Sequence, residues 1–229
     1  MKIKRIAAPR TWPIKRKQGT WITFPKSSFK KEECLPLTLV LKDLINLCTS
    51  SREVKKLVSL GKVSVNGRRV KKPEMGVGLF DVISIESVKK SWRLVYDSTQ
   101  KLSFITCSDG DKKVVRVIGK TVLSKNRLQL NLTGGVNVIS SKKTISVGDS
   151  LLVSLPDFKI LEHFKPVKGS LAYIVGGSHK GELATVLGVK DFKGVQENMF
   201  SLKSGKNEFQ TPKSNVFIMG KNKEAVKVL

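Results

Sequence analysis

Residues 49–70 read TSSREVKKLVSLGKVSVNGRRV, and the succession of signals in this stretch decides how the surrounding chain folds. Ser50 with Glu53 three residues later is a capping-box signature, in which a hydroxyl and a carboxylate satisfy N–H groups that a helix start leaves without partners. Gly61 supplies a residue able to take the left-handed conformation that ends a helix, so a short helix is predicted over residues 51–60. Val54, Leu57 and Val58 fall on one face of it, and Arg52, Lys55, Lys56 and Ser59 fall at i, i+3, i+4 and i+7 on the other. Val63 and Val65 then alternate with Lys62 and Ser64. Asn66-Gly67 is the dipeptide favoured by a two-residue type I′ hairpin turn, which needs positive φ at both positions, and Arg68, Arg69 and Val70 start the return strand. Lys71 and Lys72 continue the charge, and residues 81–85, DVISI, alternate as a closing strand. The predicted unit is helix, tight turn, basic hairpin.

Upstream, Leu37, Val40, Leu41, Leu44, Ile45 and Leu47 recur at helical steps, with Pro36 suited to the first turn. Residues 1–31 carry ten Lys and Arg and no acidic residue, broken by Pro9, Pro13, Gly19 and Pro25, and are predicted to form an extended basic arm. Trp12, Trp21, Phe24 and Phe29 are interleaved with this charge; they either pin the arm to its own protein or stack on bases or ribose. From Leu94 onward no long helix is predicted. Residues 94–96, 102–106, 114–118, 128–132, 136–139 and 151–155 read as short strands separated by turns such as Asp109-Gly110 and Gly134-Gly135, and a further set follows at 171–175, 183–189, 199–202, 209–211 and 216–219.

The 229 residues hold 43 Lys and Arg against 18 Asp and Glu, a formal net charge of +25, so a polyanionic partner is expected. Hydrophobic residues at 40% are enough to build cores, which argues against a wholly disordered basic tail. No apolar run reaches the roughly 20 residues of a spanning helix. The N-terminal stretch lacks the apolar core of a secretory signal, which points to a cytoplasmic protein with no membrane partner. Cys34, Cys48 and Cys107 are widely spaced and odd in number, and are expected as buried small hydrophobes.

Catalytic signals are weak. Gly119-Lys120-Thr121 resembles the end of a phosphate-binding loop, but Val114 stands where that motif needs glycine. His163 and His179 have no ligand or nucleophile grouping around them, and Asp109 and Asp111 sit in a turn signal. No enzyme activity, cofactor, metal or small-molecule substrate is expected. By contrast Arg52, Lys55, Lys56, Lys62, Arg68, Arg69, Lys71 and Lys72 converge on one small unit, where rigid elements can meet successive phosphates.

The stretch from Leu37 to about Ile85 resembles the alpha-L RNA-binding motif, the S4 domain, through Ser51-Arg52, Val58, Gly61, Val63, Val65, Asn66 and Gly67. It departs from the motif at Phe80-Asp81, where many such domains have Gly-Asp. KRIAAPRTWPIKRK at the start, GLFDVISI at 78–85, VGDSLLVSLP at 147–156 and GSLAYIVGGSHKGELATVLGV at 169–189 together resemble the archaeal and eukaryotic small-subunit ribosomal S4e family. The last of these is similar to a KOW motif, with Gly176, Gly177 and Gly181 around Lys180. The resemblance implies an α+β, multi-module protein: a basic arm over 1–34, an alpha-L domain over 35–93, a central mainly-β domain over 94–166, a KOW SH3-like β-barrel over 167–220 and a tail over 221–229. It implies a structural constituent of the small ribosomal subunit, bound to small-subunit rRNA and neighbouring ribosomal proteins in cytoplasmic ribosomes. Expected rRNA contacts are Arg5, Arg10, Trp12, Lys15, Arg16 and Lys17 in the arm, the eight basic residues named above with Asn66, and Gly176, Gly177 and Lys180. Two other readings stay open: an RNA-modifying enzyme carrying an alpha-L domain, and a free-standing KOW-type transcription or translation factor.

Overall fold

The computed structural model describes residues 2–228 apart from 125, 126, 143, 193, 195, 206, 222 and 223, so part of the expected C-terminal tail lies outside the described residues. Strands β1 (Lys2–Lys4) and β2 (Trp21–Thr23) pair antiparallel. Strand β3 (Cys34–Pro36) enters a helical segment, α1 (Leu37–Leu39), which widens into a π-turn over Val40–Leu44. Helix α2 (Ser51–Ser59) follows, then β4 (Val63–Val65), β5 (Arg68–Arg69), β6 (Gly76–Gly78), β7 (Val82–Ile85), β8 (Lys90–Tyr96) and β9 (Leu102–Cys107). Strand β6 pairs with β3, and the rest form one antiparallel sheet in the order β5-β4-β7-β8-β9.

The boundary expected between residues 93 and 94 falls inside β8, and the chain divides instead after Asp111. A four-residue turn joins β7 to β8, and their ladder runs from Val82 opposite Arg93 to Ile85 opposite Lys90. The sheet begun by the hairpin therefore continues through residues expected to open the next domain, with no linker or change of composition to mark the place.

The N-terminal segment is folded onto this first unit. Lys26 N–H donates to the Glu74 carbonyl at 2.9 Å, and the Gly76 N–H donates back to the Lys26 carbonyl at 3.0 Å. A Cβ placed on Gly78 would fall inside the Phe29 ring, so that position needs glycine for close approach. Further along, the Leu102 N–H donates to the Thr11 carbonyl at 2.8 Å, which ties the segment to β9.

Helix α2 is closed at both ends as its sequence requires. Ser50 Oγ accepts from the Glu53 N–H at 3.3 Å, while the Glu53 carboxylate accepts from the N–H groups of Thr49 at 2.8 Å and Ser50 at 3.5 Å. At the other end Gly61, at φ 70°, donates to Val58 O and Lys62 donates to Leu57 O, the two bonds of a Schellman motif. Hydrogen bonds from Thr49 first, then from Ser50, hold the Glu53 carboxyl below the usual carboxylate range. A depressed folded pKa means the cap contributes fully above the unfolded value of about 4.3 and is lost as pH falls through the lower folded value. In an NMR acid titration, the Thr49 and Ser50 amide signals should move with Glu53 below about pH 4.3. Glu53→Gln should abolish that step, and amides that ignore the titration would refute the cap.

The second unit, Lys112 to Lys227, holds two five-stranded antiparallel sheets. The first comprises β10 (Lys112–Val122), β11 (Leu128–Leu132), β12 (Asn137–Ser140), β13 (Ser150–Ser154) and β14 (Ile160–Phe164), in the order β12-β11-β10-β13-β14. Its core includes Val115, Val117, Leu130, Leu132, Leu151 and Val153. Strand β14 had no sequence signal because it is an edge strand of sequence ILEHF with no fully buried residue. The second sheet comprises β15 (Leu171–Ile174), β16 (Leu183–Lys190), β17 (Met199–Ser204), β18 (Asn207–Pro212) and β19 (Val216–Gly220), in the order β18-β17-β16-β15-β19. It packs on Ala172, Ile174, Val186, Phe200, Leu202 and Ile218. Ser150 Oγ accepts the Ile218 N–H at 2.9 Å. The Arg116 guanidinium lies 5.0 Å over the Phe217 ring and donates to the Ser214 and Val216 carbonyls, which joins the two sheets.

Cys34 and Cys48 are buried and Cys107 is half-buried, all as free thiols; burial pushes the Cys34 thiol up to about 11. Among the described residues no helix is long and apolar enough to cross a membrane, and no cluster of His, Cys, Asp and Glu could hold a metal ion.

Candidate nucleic-acid interface

The polar and apolar sides of α2 and its hairpin separate cleanly. Val54 and Val58 are buried on one side of the helix, while Arg52, Lys55 and Lys56 are exposed on the other and Leu57 is half-buried at the border. In the hairpin Val63, Val65 and Val70 are buried, and Lys62, Arg68, Arg69, Lys71 and Lys72 face solvent. Helix α2 and strand β5 thus carry Arg52, Lys55, Lys56, Arg68 and Arg69 over an apolar floor, and Lys62, Lys71 and Lys72 sit on the connections that flank the hairpin strands. Little opposes them locally: Glu53 is engaged at the helix cap, and Glu86 lies 3.6 Å from Arg69 with both side chains mostly exposed, where an ion pair is weak.

Asn66 does a different job from the one expected. At φ 53°, followed by Gly67 at 73°, it forms the predicted tight turn. Its side-chain amide, however, points into the fold: Nδ2 donates to Asp81 Oδ1 at 2.7 Å, and Oδ1 accepts the Val82 N–H at 3.1 Å. Asp81, only 3% exposed, also accepts the Gly78 N–H through Oδ2 at 2.7 Å. The Asn66 amide is therefore a brace for the hairpin, with its oxygen and its nitrogen both turned inward. The departure at Phe80 has a matching cause. Phe80 sits at φ 62°, the left-handed region where glycine is at ease, and its 1%-exposed ring offsets a strain of about 1–2 kcal/mol by burial.

In the N-terminal segment Arg10, Lys15 and Lys17 are exposed. Arg5 Nε donates to the Lys15 carbonyl at 2.8 Å and its guanidinium lies 3.6 Å from Asp43, while Arg16 donates to the Ile6 and Pro9 carbonyls at 3.0 and 2.9 Å. Arg5 lines a polar cavity of about 400 Å³ together with Lys15, Gln18, Lys42 and Asp43. Trp12, expected to touch RNA, is 2% exposed, and its indole N–H donates to the Lys31 carbonyl at 3.0 Å. That ring anchors the segment and has no face left for a base. Phe24 lies under the Lys31 ammonium at 5.0 Å, and Phe29 covers Gly78. Trp21 is the exposed member of the set, at 56%. The alternation Lys2-Ile3-Lys4 against Trp21-Ile22-Thr23 carried the signal that would have singled it out.

The glycine-rich connection between β15 and β16 lies in the second unit. Gly177 is exposed at φ 87° with open space where a side chain would go, whereas a Cβ on Gly176 would press on the Asn215 side chain. Lys180 is half-buried. Beside it the His179 ring stacks on Phe209 with centroids 3.9 Å apart, and its Nδ1 lies 3.3 Å from Glu182.

Fold and site together define an RNA-binding protein built around an S4 domain. The S4 domain model matches residues 43–83, the model of ribosomal family S4e matches residues 88–160, and that of the RS4NT (NUC023) domain matches residues 1–27. The chain is 35% identical over 225 residues to small ribosomal subunit protein eS4 of Methanocella arvoryzae, covering 98% of this chain and 96% of that protein. It is 31% identical to the protein of the same name from Methanocaldococcus jannaschii, covering 99% and 96%. The crystal structure of 30S ribosomal protein S4e from Thermoplasma acidophilum matches with a TM-score of 0.68 at 31% identity, over 82% of this chain and 94% of that one. The chain belongs to the ribosomal S4e family.

Proposed function

We propose that this protein is a structural constituent of the small ribosomal subunit, binding small-subunit rRNA and supporting subunit assembly and translation in the cytoplasm. The observation that carries this reading is the concentration of exposed basic side chains on α2 and its hairpin, outnumbering Glu53 and Glu86 and held over Val54, Val58, Val63 and Val65. Phosphates of a folded RNA can meet these charges with little loss of chain entropy, because the backbone beneath them is already ordered. Arg10, Lys15 and Lys17 add phosphate contacts from the N-terminal segment, with Arg5 and Arg16 supporting them. The β15–β16 connection serves as a KOW-type loop on an SH3-like barrel, where Gly177 allows close approach of RNA backbone and Lys180 lies alongside. The remaining surfaces meet rRNA or neighbouring ribosomal proteins. This role uses no cofactor and no catalytic step.

If about ten phosphates are engaged, affinity for small-subunit rRNA falls with log salt at a slope of roughly −7 to −9. The protein should also be present in stoichiometric amount in small subunits sedimented at about 0.15 M salt. A nearly salt-independent affinity, or absence from those subunits, would overturn the proposal, and absence would favour a free-standing factor.

A further inference from the structure

We propose that Trp21 is a stacking platform for one unpaired nucleobase, flanked by lysines that take the adjoining phosphates. This inference rests on the rRNA-binding reading and sharpens it by naming a site for single-stranded RNA. In the β1–β2 ribbon Lys4 stands opposite Trp21, Ile3 opposite Ile22 and Lys2 opposite Thr23. Residues directly opposite one another in an antiparallel pair share a face, and faces alternate along the strand. One face thus presents Lys2, Lys4 and Trp21, all exposed, while the other turns Ile3 and Ile22 inward, with Ile22 at 7% exposure. The Arg5 N–H donates to the Thr20 carbonyl at 2.8 Å and continues the pairing past Trp21, so the indole stands on an ordered backbone.

An indole left 56% exposed has no packing role to explain it, since Trp12 anchors the segment and the inward isoleucines hold the ribbon. Its surroundings select the partner. Residues 1–31 contain no carboxylate, and although Asp43 pairs with Arg5 and Glu74 with Lys26, the face that carries the ring presents Lys2 and Lys4 beside it, which suits a flat aromatic joined to phosphates better than an apolar protein patch. An unpaired base fits and a duplex does not, because stacking on a side chain requires a free π-face.

The test uses the full-length chain with two probes, a small-subunit rRNA transcript and single-stranded oligouridine, read by affinity and by tryptophan emission. Both should quench the emission. Trp21→Ala should weaken binding to each by roughly 5- to 100-fold, remove most of the quenching, and leave both the salt slope and the melting temperature unchanged. Trp21→Phe should recover most of the affinity. Lys4→Ala should instead flatten the salt slope by about 0.7–0.9. Parental affinity and undiminished quenching in Trp21→Ala would overturn the assignment while leaving the rRNA reading intact, and is the result expected if Trp21 covers a protein neighbour. A parent chain that binds neither probe would overturn both.

Discussion

Reversing Arg52, Lys55 and Arg68 to Glu together lowers affinity for small-subunit rRNA by about 100-fold or more at 0.15 M salt. Each phosphate contact contributes roughly 0.7–0.9 to the slope of log affinity against log salt, so three lost contacts amount to about two orders of magnitude at that concentration, before the added repulsion is counted. The slope itself should flatten by about two to three. All three side chains are exposed, and the residues that hold this unit together, Val54, Val58, Val63 and Val65, are untouched. The unfolding midpoint of the variant should therefore match that of the parent. Unchanged affinity in a folded variant would show that RNA meets another face.

Asp81→Ala is expected to be the most destabilising single change in the hairpin region, by about 2–4 kcal/mol in denaturant unfolding of the first unit. The Asp81 carboxylate is buried and accepts from the Gly78 N–H and the Asn66 amide, both at 2.7 Å. Truncation leaves these two donors without an acceptor in a site closed to water, and the cost of an unmet buried donor exceeds the worth of an average hydrogen bond. Asp81→Asn keeps one acceptor oxygen and should fall between parent and Ala. Because Asn66 and Asp81 act on one another, Asn66→Ala combined with Asp81→Ala should cost less than the sum of the two. Additive effects would mean that the brace is not shared.

What could be read in the sequence was what local chemistry encodes. The cap at Ser50 and Glu53, the stop at Gly61 and the turn at Asn66-Gly67 are set by residues within three or four positions of each other, and all three formed as expected. The fate of the N-terminal segment was illegible because it depends on distant partners: Lys26 meets residues 74–76, and Thr11 meets Leu102. For the same reason nothing local to Trp12 marks it as an anchor, and only the packing around it shows that role, whereas the alternation around Trp21 was there to be read. Asn66 carries the converse lesson. The Asn-Gly signal located the turn correctly but was silent on where the side-chain amide would point, and that was decided by a carboxylate fifteen positions later.

The clamp between residues 25–29 and 74–78 also orders events in time. The polycationic first segment leaves a translating ribosome before Gly76 and Gly78, the residues against which Ser27 and Phe29 close, have been made. For that interval of synthesis it is an unanchored chain of ten positive charges beside the most abundant RNA in the cell. Completion of strand β6 thus supplies the surface against which residues 25–29 dock, and the tie from Thr11 to Leu102 waits for β9.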